Sequence, residues 1–487
     1  MSLYAPPPVP PAEMVQIIRN GLPPTPCPQT ILIAGAGMAG LVSASLLKEA
    51  GHHVILFEAS DRVGGRVFTM RSPFSEGLTF EVGAMRIPDT HYLVWEYIRK
   101  FRLPVNRFIN ETPSDILAVN GVLTRLKTYQ QDPSILGFPV IPKERGETAT
   151  QLFRSLMKKL IEGFHNNTHA MIQFLSRYSV DQILHQPPFG APLSQGAIDM
   201  IKVILDTSGI MELSFIDVAR LITILTDPEV QFYEITGGND RLPASFLPQL
   251  KENLLLERKM TVILPERDKV TVQGVDQKTG QPFQLCGDRL IVTLPFSVLR
   301  MVDIVPVTAF SYEKRKAIRE LHYTPASKVG IEFADRFWEE NGSRGGRTIT
   351  DLPIRFTYYP SHNSEPWNPA AVMASYTWGD DALLWNALDN PEAMELSLRN
   401  MASIFGPVVY EKFRRGISYS WSRSSYAAGG FAMFKPMQET ELSHAIATPE
   451  GRVHFAGEHA STTRVWMQGA IESGVRVAKE VHESWMK

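Results

Sequence analysis

Cysteine, net charge and long hydrophobic runs are all scarce in this sequence. Its 487 residues include two cysteines, Cys27 and Cys286, which argues against a disulfide framework and a cysteine-rich metal site. A single bridge between them stays open, although two free thiols are the simpler interpretation. The formal net charge of -2 gives no reason to expect nucleic acid or an anionic membrane as a partner. We therefore expect no metal, no nucleic acid and no membrane partner.

The sequence also lacks targeting signals. No apolar run approaches the roughly 20 residues that span a bilayer. The first residues, MSLYAPPPVPPAEM, have neither the charged start nor the apolar core of a secretory signal. We expect a cytoplasmic protein, with secretion left open because a chain without its leader would look the same. A composition of 44% hydrophobic and 21% charged residues is that of a folded globular chain of two or three domains.

A glycine turn follows the first apolar run. Gly35, Gly37 and Gly40 form G-x-G-x-x-G after ILIA, and a helix should begin near Met38. The first glycine permits the tight turn, the second lets a pyrophosphate approach the backbone, and the third lets the helix pack close to the strand. The positive end of the helix would face the diphosphate. The pattern predicts a dinucleotide site.

A second strand supports this prediction. Residues His53 to Phe57 read as a strand that ends in Glu58, about 20 residues beyond the glycines, where a carboxylate binds ribose hydroxyls. Gly51 marks the end of the preceding helix. Strand, helix, strand and acid in this order are more specific than the glycines alone.

The rest of the N-terminal half alternates between strand-like and helical stretches. Residues 5–28 are proline-rich and should form an extended arm or a loose leader. One helix is expected from Tyr92 to Phe101. Residues from about 147 to 225 carry apolar positions at helical spacing, interrupted by Pro187, Pro188 and Gly190. This helical block is predicted to be an inserted subdomain.

The C-terminal half should return to the nucleotide sheet. Residues 242–254 predict a helix, and residues 261–275 and 288–295 read as strands that join that sheet. Alternating runs between residues 327 and 378 predict an antiparallel sheet. Residues 451–485 predict a strand, a loop and a final helix.

The predicted fold class is α/β (α+β overall), with a Rossmann-like FAD-binding domain built from discontinuous segments, a mixed-sheet substrate-binding domain and an inserted helical subdomain. The predicted segments are the arm at 1–29, the FAD-binding domain at 30–67, 229–323 and 447–487, the substrate-binding domain at 68–129 and 324–446, and the helical domain at 130–228. This split favours FAD over NAD, because an extended FAD needs its ring end held by a distant segment.

Several motifs resemble the flavin amine oxidase superfamily (the monoamine oxidase superfamily) and, within it, the L-amino acid oxidases. They begin near Thr30 and continue in order to the C-terminus: RVGGR (Arg62–Arg66), EVGAMRIP (Glu81–Pro88), LPASF, SKVGIEF, DLPIRFTYYPSHN and FAGEHASTTRVWMQGAIESG. The resemblance implies an FAD oxidoreductase. It also implies a homodimer.

The glycine motif and the resemblance together place a set of residues on FAD. These are Gly35, Gly37, Met38, Ala39, Gly40, Glu58, Ala59, Gly65, Arg66, Gly83, Ala84, Met85, Arg86, Val262, Gly457, Glu458, Val465, Trp466, Met467 and Ala470. The resemblance puts Arg66 on the pyrophosphate and Glu458 near the ribityl chain. The region before the C-terminal strand, SYSWSRSSYAAGG, has no cysteine that could tether the cofactor, so FAD should be non-covalent.

The resemblance also implies the catalytic residues Lys328, Arg86 and Tyr376. Arg86 would grip the substrate carboxylate in a bidentate fork, and the Tyr376 hydroxyl would reach the same group. Lys328 would hold a water near flavin N5 and supply positive charge to the reduced ring. Alternatives remain: Arg86 could hold a pyrophosphate or a structural carboxylate, Tyr376 could be core packing, and Lys328 could be solvated.

Substrate contacts extend to the walls of the pocket. The resemblance assigns them to Arg86, Tyr376, Trp466, Trp378, Phe431, Leu221 and Val465. A histidine proposed to contact substrate in the venom enzymes falls near Leu221 here, so a histidine base is in doubt. Large apolar walls favour apolar or aromatic side chains, whereas Glu212 or Asp217 in the lining would favour lysine or arginine.

The implied reaction is oxidative deamination of an L-amino acid. A hydride moves from the α-carbon to flavin N5, and dioxygen and water give a 2-oxo acid, ammonia and hydrogen peroxide. The alternatives are an amine or polyamine oxidase, an amino acid monooxygenase, a dehydrogenase of the same superfamily, and a flavoprotein scaffold without turnover.

Overall fold

The structure is a computed structural model that describes residues 3, 7–165, 167–341, 344–362 and 368–484, without the side chains of residues 340 and 341. A five-stranded parallel sheet organises it. From one edge to the other its strands are Leu254–Leu255, His53–Phe57, Thr30–Ala34, Arg289–Val292 and Val453–Phe455. These strands come from three distant parts of the chain, so the prediction of a discontinuous Rossmann-like sheet is confirmed.

The central strand explains why this sheet is a core element. Its residues alternate between two hydrophobic clusters, with Ile31 and Ile33 on one face and Leu32 and Ala34 on the other, all fully buried. The first face is covered by the helices Met38–Glu49 and Met467–Glu483, which pack against each other. Each of these helices follows one of the parallel strands, Thr30–Ala34 or Val453–Phe455, so both begin on the side of the sheet where the strands have their carboxyl ends.

A four-stranded sheet packs beside the parallel one. Its order is Pro282–Gly287, Val270–Asp276, Arg258–Pro265 and Asp303–Ile304. The expectation that residues 261–275 join the nucleotide sheet is wrong, and only Arg289–Val292 does so. The short turn between Pro265 and Val270 forces an antiparallel hairpin, which pairs locally instead of extending a parallel sheet.

A seven-stranded mixed sheet forms the second large layer. Its order is Phe413–Ser420, Ala326–Phe333, Ala370–Trp378, Phe356–Tyr358, Arg347–Thr350, Ile116–Val119 and Val122–Arg125. Its pairings are antiparallel apart from one parallel pair, Arg347–Thr350 with Ile116–Val119. The antiparallel runs predicted between residues 327 and 378 are confirmed.

Three small sheets connect these layers. They pair Thr69–Met70 with Phe80–Glu81, Tyr323–Thr324 with Phe431–Ala432, and Ile87–Pro88 and Val105–Phe108 with Phe232–Ile235.

The helices predicted between about residues 147 and 225 are confirmed. They are Ala149–Gly163, Thr168–Leu175, Val180–His185, Gln195–Ile204 and Phe215–Thr226, and a further helix, Leu126–Gln131, precedes them. Capping boxes start two of them, with Thr148 paired to Gln151 and Ser179 paired to Gln182. The predicted break at residues 187–190 falls between two helices.

The N-terminal segment differs from the expectation. Residues Pro11–Asn20 form a helix instead of an extended arm, and Met14, Ile17 and Ile18 are buried against the helix Tyr92–Lys100 and the C-terminal helix. Pro11 is accommodated because a proline in the first turn leaves no hydrogen bond unmade. The apolar spacing i, i+3, i+4 was a helix signal that the flanking prolines masked.

Residues 242–254 also differ, because Pro243 and Pro248 split the expected helix into Arg241–Ala244 and Leu247–Leu250. The remaining helices are Phe296–Leu299, Tyr312–Glu320, Asp380–Asn386, Asn390–Phe405, Val408–Lys412 and Gln438–Ala447. Among the residues described, no helix combines the length and apolar character needed to cross a membrane. Cys27 and Cys286 are exposed and form no disulfide bond.

Candidate functional site

A deep cavity of about 380 Å³ opens at the carboxyl ends of the parallel strands and reaches the seven-stranded sheet. The glycine turn forms one end. Gly35 has φ +100°, and a Cβ on Gly40 would lie 1.9 Å from the Gly35 carbonyl oxygen, so both positions require glycine. A Cβ on Gly37 would meet nothing within 4 Å. The turn therefore has no room for a side chain at Gly40, whereas open space lies next to Gly37.

The same end has features that fit a diphosphate and a ribose. No side chain caps the helix Met38–Glu49, whose first residues line the cavity, so its terminal amides are free for an anion. Glu58 is 9% exposed and accepts hydrogen bonds from the amides of Ala36, at 2.7 Å, and Ser60, at 2.9 Å. These bonds hold the carboxylate at the cavity wall.

Two arginines stand beside the glycine turn. Arg66 is 2.8 Å from Glu458 and donates to the carbonyl of Gly430. Arg62 lies 3.7 Å above the Phe68 ring, and burial lowers its pKa. Both line the cavity. This cationic end fits the phosphates of a dinucleotide.

Lys328 lies at the other end, on the strand Ala326–Phe333, which is second from one edge of the seven-stranded sheet. It is 1% exposed, and its ammonium donates to the carbonyls of Glu81, at 3.0 Å, and Gly83, at 2.6 Å. Burial lowers its pKa to about 7. The register places Tyr376 and Tyr419 directly opposite Lys328 on the two neighbouring strands. The ammonium is 4.4 Å from the centre of the Tyr376 ring.

Arg86 is buried in the same cavity. Its guanidinium donates to the Asn110 side chain and, at 3.3 Å, to the Tyr358 hydroxyl, and it lies 5.3–5.5 Å from the centres of the Tyr358 and Phe232 rings. Within the described ranges no carboxylate forms an ion pair with it. A buried guanidinium with only neutral partners is ready for an anion.

Aromatic side chains enclose the space near Arg86. The Tyr376 and Trp378 rings meet edge to face at 5.2 Å, and Trp378 meets Phe431 at 6.0 Å. Burial raises the pKa of Tyr376 to about 12, so its hydroxyl keeps its proton at neutral pH and can donate a hydrogen bond.

The opposite wall comes from the C-terminal loop and the helical block. Trp466 contacts His91 edge to face at 4.9 Å, and Val465 has φ +78°, which is rare for a β-branched residue. Leu221 also lines the cavity. Glu212 is exposed and Asp217 lies behind Leu221, so neither acid belongs to this lining.

The structure brings nearly all of the residues nominated from the sequence to this cavity. The two that lie outside its lining are Gly40, which packs its helix on the strand, and Val262. Val262 belongs to the four-stranded sheet, and Arg258, Lys259 and Met260 face the cavity in its place.

Some lining or supporting residues were not nominated. They include Asn110, Tyr358, His91, Tyr419 and Trp421. Tyr358 lies within the motif DLPIRFTYYPSHN, so that motif held a signal for it. Asn110 carries no local signal, because only the folded chain brings it next to Arg86. In the part of the chain with described side chains, no cluster of three metal-binding groups occurs.

The chain is similar to a family of known proteins. The family model described as flavin containing amine oxidoreductase matches residues 38–482. The chain is 49% identical to "Putative L-amino-acid oxidase YobN" of Bacillus subtilis, over 96% of this chain and 98% of the relative. It is 35% identical to an L-amino-acid oxidase of Siganus canaliculatus, over 97% of this chain and 88% of that relative.

Solved structures agree on the fold. Cyclohexylamine oxidase from Brevibacterium oxydans superposes with a TM-score of 0.77 at 21% identity, over 95% of this chain and all of that one. A putrescine oxidase with bound putrescine gives a TM-score of 0.74 at 18% identity, over 93% of this chain and 99% of that one.

Proposed function

The chain belongs to the flavin containing amine oxidoreductase family, and from this premise we propose that it is an FAD-dependent L-amino-acid oxidase. It converts an L-amino acid, dioxygen and water into a 2-oxo acid, ammonia and hydrogen peroxide. FAD, held by the glycine turn, Glu58 and Arg66, would supply the redox chemistry, in which two electrons leave the substrate and reduce dioxygen. The chain's own residues orient the substrate and control protons around it.

One observation carries the choice of an amino acid over a plain amine. Arg86 is 5% exposed and has no carboxylate partner among the described residues, yet it lies in the cavity that contains Lys328. A plain amine brings no anion to such a site, whereas an amino acid brings a carboxylate that a guanidinium grips in two hydrogen bonds. Tyr376 would donate a further hydrogen bond to that carboxylate.

The remaining groups have roles that follow from their positions. Lys328, with its pKa near 7, would hold or release a proton beside the cofactor ring. Trp466, Val465 and Leu221 would exclude water from one side of the substrate, and Trp378 and Phe431 from another. Because the described residues that line this end of the cavity are mainly aromatic and aliphatic and include no unpaired acid, we propose a preference for large apolar or aromatic amino acids.

The cofactor would be FAD held without a covalent bond. The open front of Gly37, the uncapped helix and Glu58 provide for a diphosphate and a ribose. Both cysteines are exposed and lie outside the cavity lining, so neither thiol is placed to tether the ring. Acid precipitation should release all of the flavin into the supernatant.

The test measures peroxide release from purified holoenzyme with each L-amino acid, its D-form and its decarboxylated amine. We expect turnover of L-forms, led by aromatic and large aliphatic side chains, with a keto acid as product. Faster turnover of amines than of their parent amino acids would indicate an amine oxidase instead. An amide product would indicate a monooxygenase.

A further inference from the structure

A cluster of four charges, three of them buried and the fourth, Glu439, partly buried, lies directly behind the side chains proposed to enclose the substrate. Asp217 and Arg220 lie on the helix Phe215–Thr226, Arg464 lies in the C-terminal loop, and Glu439 lies on the helix Gln438–Ala447. The Asp217 carboxylate accepts from Arg464 at 2.7 Å and from Arg220 at 2.8 Å. Glu439 accepts from Arg220 at 3.0 Å and from Arg464 at 3.4 Å. Two acids and two bases thus balance each other in the interior.

Asp217 connects three chain segments that each carry a wall residue. Its own helix presents Leu221 one turn later. Its bond to Arg464 holds the loop two residues before Trp466. Its second oxygen accepts the amide of Phe434 at 2.8 Å, three residues after Phe431.

A small space behind the cavity shows how close this cluster is to the walls. It is lined by Asp217, Arg220 and Arg464 from the cluster and by Leu221, Val465 and Trp466 from the walls, with Thr462. Between Arg464 and Trp466, the backbone at Val465 has φ +78°. A left-handed β-branched residue persists only when its surroundings hold it. Arg464 on one side and the bond from the Val465 amide to Glu458, at 3.0 Å, provide that hold.

We propose that Asp217 is a positioning residue that sets the shape of the substrate side-chain pocket by tying together the segments of Leu221, Phe431 and Trp466. Asp217 does not touch the substrate. It acts through Arg464 and the Phe434 amide, and it determines how well a large side chain fits. This inference rests on the proposed function, since it concerns the same pocket.

Replacing Asp217 by Asn tests the proposal, with Glu439→Gln as the matched control. Both variants remove one carboxylate from the same cluster. Asp217 makes the shorter bond to Arg464, at 2.7 Å against 3.4 Å for Glu439, and only Asp217 is bonded to the Phe434 amide. For Asp217→Asn we expect the ratio of kcat/KM for L-phenylalanine over L-alanine to fall about tenfold or more, because small displacements of positioning groups are costly. The fall should appear mainly in KM for L-phenylalanine. Glu439→Gln should leave the ratio within about twofold of wild type.

Hydrogen exchange of the holoenzymes provides a readout that does not depend on turnover. Amides of residues 461–466 should exchange faster in Asp217→Asn than in wild type, while Glu439→Gln leaves them unchanged. An unchanged substrate ratio, or an equal loss for both substrates, would overturn the proposal. Unchanged exchange at residues 461–466 would overturn it as well.

A substitution that keeps the charge covers the case in which Asp217→Asn does not accumulate as folded holoenzyme. Arg464→Lys retains a cation opposite Asp217 but loses the guanidinium that also donates to the Ser461 carbonyl. Arg464→Lys should lower the ratio of kcat/KM for L-phenylalanine over L-alanine and speed the exchange of residues 461–466, as Asp217→Asn does. If either quantity stayed at its wild-type value, the proposal would be overturned. If wild type oxidises no L-amino acid, the proposed function fails by itself, and the exchange comparison still decides the role of Asp217.

Discussion

At the scale of single residues, Arg86 differs from the other buried arginines of this protein. Arg220, Arg464 and Arg347 each pair with a carboxylate of the chain, which offsets the cost of burying a charge. Arg86 has an amide oxygen, a phenol and two ring faces instead. A cation in such surroundings binds an incoming anion strongly, because little water surrounds it and no described residue offers it a competing carboxylate.

Replacing Arg86 by Ala should therefore lower kcat/KM for L-amino acids by about 2–5 kcal/mol of transition-state binding, the cost of truncating a buried charge pair. Steady-state kinetics measure the loss. The corresponding amines provide the control, since they have no carboxylate to lose and their slow turnover should change little. Wild-type kcat/KM on amino acids in this variant would show that the guanidinium does not hold the carboxylate.

Lys328 should give the reaction with dioxygen a pH dependence. Because burial lowers its pKa to about 7 from 10.5, the ammonium is charged below that pH and neutral above it. Reoxidation of the reduced enzyme should slow as the pH rises through 7 and beyond, as the positive charge is lost. Stopped-flow absorbance at several pH values measures this rate.

Lys328→Met should reoxidise about 10²-fold more slowly, the usual contribution of one proton-transferring group. It should also lose the dependence on pH in this range. A variant that keeps the wild-type pH profile would assign the ionisation to another group.

At the scale of elements, the N-terminal helix Pro11–Asn20 is a structural part of the nucleotide-binding side. Ile18 and Met14 are fully buried, and the helix packs on Tyr92–Lys100 and on the C-terminal helix. Arg19 also donates two hydrogen bonds to Glu96, at 2.7 and 2.8 Å. The helix thus reinforces the two helices whose ends face the cavity.

Ile18→Ala should destabilise the protein by about 2–5 kcal/mol, the range for emptying a fully buried aliphatic site. Thermal unfolding should show a lower Tm. Gln16→Ala, on the exposed face of the same helix, should stay within about 0.5 kcal/mol of wild type. Equal melting of the two variants would mean that the helix contributes nothing to the core.

At the scale of the whole molecule, the cofactor cavity is assembled from segments that are far apart in sequence. The glycine turn, the strand with Lys328, and the loop with Glu458 meet only in the folded chain. Arg66 and Glu458, which are 392 residues apart, form one ion pair. A ligand that spans this cavity contacts every segment and stabilises the fold as a whole.

Removing FAD should therefore lower the Tm of the entire transition. Saturation at 100 times Kd is worth about 2.7 kcal/mol by linkage. Differential scanning calorimetry of holoenzyme, apoprotein and reconstituted protein measures the change, and readdition of FAD should restore it. Identical melting with and without the cofactor would place FAD elsewhere or rule it out.

The homodimer and the domain boundaries stay predictions.

Local patterns predicted many of the elements. The glycine turn, the strand His53–Phe57 and the helix that starts at Met38 were predictable because each depends on residues close in sequence. Where local signals conflicted, prediction failed: prolines masked the first helix, and a tight turn diverted residues 261–275 into a sheet of their own. A strand pattern does not say which sheet the strand joins.

The order of strand, glycine turn, helix and acid was enough to predict a nucleotide fold, because these constraints act between neighbours along the chain. The prediction of a flavin enzyme came from the resemblance of the later motifs to a known family. The tertiary structure alone decided that Arg86 meets Asn110 and Tyr358 and, among the described residues, no acid. It also decided that Lys328 lies opposite Tyr376 on the neighbouring strand and that Asp217 joins three segments of the pocket wall. Those contacts join residues that are distant in sequence. Strand register and helix packing, which balance burial over the whole molecule, select them.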